Sequence, residues 1–137
     1  MRPYLSAPNL IAAAFCVVFL GLALAIADWP PPPSFVELVP YALALSLLTR
    51  ARVPAYAAWA RAQRPHRVWR VLAEGALAGL LLGLLLMLPV GPGEPNVPDP
   101  GLTEYLIWFA VLGLCGAIAA GLVYALAAWC ARHGRGL

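Results

Sequence analysis

Apolar residues fill four stretches of the chain, at about residues 10–28, 35–49, 71–89 and 105–130, and polar residues collect between them. A helix that crosses a membrane needs about 20 mostly apolar residues. The first stretch is uncharged over 10–27 and the fourth over 105–130, while the third holds one acid, Glu74. The second is the shortest and contains Glu37 and Pro40. Pro40 suits the start of a helix, where a missing N–H costs little. The pattern predicts an all-α, multi-pass membrane protein: a single unit of four transmembrane helices.

The first stretch has a second reading. Arg2, an apolar run and Ala25, Ile26 and Ala27 imitate a secretory signal with its small-residue cleavage site. The run is longer than the roughly 7–15 residues of a signal core, which favours a retained helix.

Charge orients the four segments. All nine basic residues are Arg. Basic residues favour the cytoplasmic side of a membrane. With the N-terminus inside, Arg2, the loop at 50–70 and the tail with Arg132 and Arg135 all fall inside. Asp28, Glu37, Glu94, Asp99 and Glu104 then fall outside. Omitting the second segment breaks this partition, so the arrangement has four spans with both termini cytoplasmic. The tryptophans agree, with Trp29 and Trp108 near outer ends and Trp59, Trp69 and Trp129 near inner ends. An indole ring is apolar with a wet N–H, and it favours the headgroup level.

The loops differ in chemistry. The outer loops, 29–34 and 89–104, are rich in proline, including Pro30, Pro31, Pro32 and Pro33 in the first. Such sequences form stiff, extended connectors. The inner loop, 50–70, carries Arg50, Arg52, Arg61, Arg64, Arg67 and Arg70. Pro54 and Pro65 can each open a helical turn. A short helix over 54–64 would put Arg61 opposite Tyr56 and Trp59, aromatics toward the membrane and Arg toward phosphates. Each Arg near an anionic surface contributes about 1 kcal/mol. The Arg set is therefore read as setting topology and as a patch for anionic lipid on the cytoplasmic side or for a docked protein. Nothing resembles a nucleic-acid module.

Composition confirms the class. The 137 residues are 63% hydrophobic and 11% charged, with a mean hydropathy of +0.82. Soluble domains carry about 25% charged residues. This chain has too few charges to cover a soluble surface or to remain disordered. Arg without Lys, with abundant Ala, Leu, Pro and Gly, suggests a bacterium with a GC-rich genome and hence a bacterial inner membrane.

Candidate chemistry is sparse. Gly75, Gly79 and Gly83 recur every fourth residue in the third segment, and the fourth carries Gly113 and Gly116. Small residues at this spacing let helices approach closely. Two partners remain open: the third and fourth segments against each other, or another subunit. Glu74 is the acid nearest a span, and membrane acids are functional suspects. It also suits the first turns of its helix and can pair with Arg70, so an ion relay is the lesser reading. Cys16, Cys115 and Cys130 form no CxxC pair and read as small buried apolar residues. His66 and His133 lie outside the spans, so this chain alone offers a haem no intramembrane ligands. There is no P-loop and no nucleophile–base pair, and no loop is large enough for a catalytic domain. The expectation is a non-catalytic accessory or scaffold subunit of a larger membrane complex, without cofactor, whose partners are lipids and other integral membrane subunits. The alternatives are a self-assembling channel, holin-like pore or transporter, and a redox subunit beside a quinone or pigment.

Overall fold

A computed structural model describes residues 6–26, 36, 38–62, 67–87 and 101–133. They form four α-helices: α1 (Ala7–Ile26), α2 (Leu38–Arg61), α3 (Arg67–Met87) and α4 (Leu102–Arg132). Three of them, α1, α3 and α4, are long and apolar enough to cross a membrane. The second helix falls short of that standard because its C-terminal half is interrupted by Arg50, Arg52 and Arg61.

Helix ends follow local chemistry. The carbonyl of Ser6 accepts from the amides of Asn9 and Leu10 at 3.0 and 3.1 Å, which starts α1 ahead of the expected residue 10. The carbonyl of Gly101 accepts from Glu104 and Tyr105 at 2.9 and 3.2 Å, so α4 begins inside the expected outer loop. Glu104 in this first turn faces the positive end of the helix dipole.

The expected inner loop is largely helical. Residues 50–61 continue α2 without a break, and Arg67 and Arg70 belong to α3. Residues 54–61 are therefore the end of a longer helix, not a separate one. Ala51, Ala55, Ala57, Ala58 and Ala60, with the Arg residues, are strong helix formers. Pro54 removes one intrahelical donor, and burial of Val53, Tyr56 and Ala57 on this stretch offsets the loss.

The chain divides into two compact units. The first comprises Met1–Arg64 and Val123–Leu137, and the second Pro65–Leu122. In the first, α1 packs on α2, with Ile11, Ala12 and Ala42 buried. The Ser46 hydroxyl donates to the Ala12 carbonyl at 2.9 Å. In the same unit, Tyr56 meets Tyr124 of α4 edge to face, with ring centroids 6.0 Å apart. The second unit is an antiparallel pair. Gly75 lies against Gly116, Gly79 against Leu112 and Gly83 against Phe109, so ascending positions on α3 meet descending ones on α4.

Candidate functional site

The five glycines expected at a close helix contact all lie in the second unit and meet the facing helix of the same chain. They are not equivalent. A Cβ at Gly79 would collide with the carbonyl oxygen of Leu112 and stand 2.9 Å from its carbonyl carbon. At Gly75 it would collide with the carbonyl oxygen of Gly116 and come within 2.5 Å of the Ala120 Cβ. At Gly116 it would strike the carbonyl oxygen of Gly75. Backbone cannot yield there as a side-chain tip can. Gly83 and Gly113 face side chains instead: the Leu112 Cδ1 at 2.7 Å and the Leu80 Cδ2 at 3.4 Å. Glycine is therefore required at Gly75, Gly79 and Gly116, where backbone touches backbone.

The candidate basic patch divides between the units. Arg50 and Arg61 are exposed on α2 and Arg52 is half-buried, while Arg67 and Arg70 stand on α3. Arg64, like Arg2, Arg135, His66 and Trp29, lies outside the described residues. The Arg70 Nε donates to the Glu74 Oε1 at 3.2 Å, the i,i+4 pair that the spacing allows. Glu74 thus holds a local ion pair and, as the eighth residue of α3, lies past the first turn that its spacing suggested.

The hydroxyls of Ser46 and Thr49 are committed to backbone. Ser46 binds the Ala12 carbonyl, and the Thr49 Oγ1 donates to the Leu45 carbonyl at 2.8 Å. Among the described residues no polar or charged side chain is buried, and no group of three His, Cys, Asp or Glu is arranged to hold a metal.

Two expectations need correction. Cys130 is buried and Cys16 half-buried, but Cys115 is exposed. It stands one residue, or about 100° of helix, from Gly116, which takes it off the face that meets α3. Tyr56 does not point toward a membrane surface. It is buried between Trp59, at a centroid distance of 5.7 Å, and Tyr124. The Tyr56–Tyr124 contact escaped sequence reading because it joins residues far apart in the chain. Its only signal was one aromatic in the inner loop and another in the fourth apolar stretch. Trp69 and Trp108, by contrast, are exposed, at 76% and 60%. Trp129 is also exposed and stacks obliquely on His133, with centroids 4.8 Å apart.

Large apolar side chains line the outside of both units. In α4 they include Leu106, Val111, Leu114, Ile118 and Leu122. Comparison with family models, curated proteins and solved structures found no match to this chain.

Proposed function

We propose that this chain is a small, non-catalytic integral membrane subunit that serves as scaffold in a larger bacterial inner-membrane complex. In this reading all four helices span, both termini are cytoplasmic, and the basic residues face the cytoplasm. The observation that carries it is the apolar exterior. Only 11% of the most apolar window of α4 is buried. That surface needs lipid or other membrane subunits around it.

The scaffold reading is favoured over a pore by the fate of the polar groups. A hydrated path needs polar side chains that face it. Ser46 and Thr49 instead satisfy backbone carbonyls, and Glu74 pairs with Arg70.

The test is gentle extraction from native membranes, then sizing and mass spectrometry of what travels with the chain. Larger subunits in fixed proportion support the reading and identify the host. A pure oligomer of this chain overturns it and promotes the pore or transporter. Orientation has its own test in a cysteine-free background. Glu94→Cys should label from outside and Arg64→Cys only from the cytoplasm; labelling of both from one side removes the four-span topology.

A further inference from the structure

On α2, one exposed stripe runs Leu43, Leu47, Arg50, Pro54, Ala58, Arg61, at steps of three and four residues that place them on one helix face. Leu43 and Leu47 are 54% and 63% exposed. The stripe therefore changes from apolar to basic between Leu47 and Arg50. The nearest acids in sequence are Glu37 and Glu74, so α2 offers Arg50 no carboxylate within reach of its own turns.

Depth makes this change consequential. Arg50 lies twelve residues, about 18 Å, along α2 from its start at Leu38. The hydrocarbon layer is about 30 Å thick. A guanidinium at that depth needs an anion drawn toward it, by local thinning or by snorkelling. Arg61 stands about 16 Å farther along and needs none of this.

Pro54 adds a second feature on the same face. It has no N–H to give the Arg50 carbonyl four residues before it. A carbonyl freed this way near a membrane takes a donor from its surroundings. Arg50 thus combines a cation with a carbonyl that lacks its i+4 donor, beside an apolar track.

We propose that this face of α2 is a binding site for one anionic glycerophospholipid whose headgroup carries a hydroxyl, as phosphatidylglycerol does. The phosphate pairs with the Arg50 guanidinium, a headgroup hydroxyl donates to the Arg50 carbonyl, and an acyl chain lies along Leu47 and Leu43. The inference rests on the membrane-spanning reading of α2 but not on the scaffold role.

The experiment is native mass spectrometry of the full chain, released from nanodiscs containing phosphatidylglycerol, phosphatidylmethanol or phosphatidylcholine. Phosphatidylmethanol keeps the phosphate charge but lacks the hydroxyl. The expected result is retention of phosphatidylglycerol over both others. Arg50→Gln should lower that retention about fivefold, while Arg61→Gln changes it less than twofold. Pro54→Ala restores the N–H and should erase the preference over phosphatidylmethanol while keeping that over phosphatidylcholine. Equal losses in Arg50→Gln and Arg61→Gln would mean a diffuse basic surface and would overturn the site. So would displacement of the lipid by millimolar inorganic phosphate, which would assign the pocket to the free anion. Arg50→Lys, which keeps the charge, guards against a folding artefact: it should retain more phosphatidylglycerol than Arg50→Gln, and equal loss in both overturns the phosphate pairing. A wild-type chain that fails to enter nanodiscs would sink the membrane reading itself, a result distinct from a membrane-bound chain without lipid preference.

Discussion

The second unit is held by backbone meeting backbone, whereas the first is held by side chains. In the second, Gly75, Gly79 and Gly116 bring α3 and α4 so close that carbonyl oxygens occupy the space of a Cβ. In the first, a Ser46 hydroxyl and the Tyr56–Tyr124 ring contact connect the helices. The difference is one of tolerance. A side-chain contact can be trimmed and lose only itself. A backbone contact cannot accept one added methyl group without moving a helix. In lipid the apolar effect gives little net drive for helices to associate, so close packing and a few polar contacts decide.

This contrast predicts a ranked series of losses. The largest belongs to Gly79→Val, which should destabilise the chain by about 3 kcal/mol in thermal unfolding in detergent followed by circular dichroism. Gly113→Ala, which adds a methyl at a spacing its neighbour accepts, should stay within about 0.5 kcal/mol. Equal losses at the two positions would end the backbone-contact account. Next comes the aromatic pair. Tyr56→Leu and Tyr124→Leu should each cost about 1 kcal/mol, and the double variant should cost less than their sum. Strict additivity would show that the rings do not interact. Ser46→Ala should cost about 0.6 kcal/mol, the typical worth of an interhelical hydrogen bond in a membrane. The smallest effect is that of Glu74→Gln, about 0.3 kcal/mol, and 1 M salt should abolish it. A loss several times larger, or one that salt leaves intact, would favour the ion-relay reading of this acid.

Much of this was legible along the chain. The all-helical class and the four apolar stretches follow from run length and from the scarcity of charge. The glycine row on α3 was visible as a spacing of four, and the Arg70–Glu74 pair followed from its own. Other features were not legible. The stretch from Arg50 read as an inner loop with a short helix of its own from Pro54, because charge and proline together resemble a break. The helix continues because burial of Val53, Tyr56 and Ala57 outweighs one missing N–H. Cys115 read as buried because it lies in an apolar run; a turn of 100° per residue separates neighbours in such a run into different faces.

Hydropathy and residue spacing alone determined that this protein is helical and where its apolar runs lie, since both depend on local composition and the helical repeat. They also marked the small residues able to form close contacts. Only the tertiary structure decided which glycines are irreplaceable, because that depends on whether the opposing atom is a rigid carbonyl or a movable leucine tip. It likewise decided that Ser46 serves a backbone carbonyl and that Tyr56 meets Tyr124. Such pairings join residues on different helices, and no local pattern carries information about the partner across the gap.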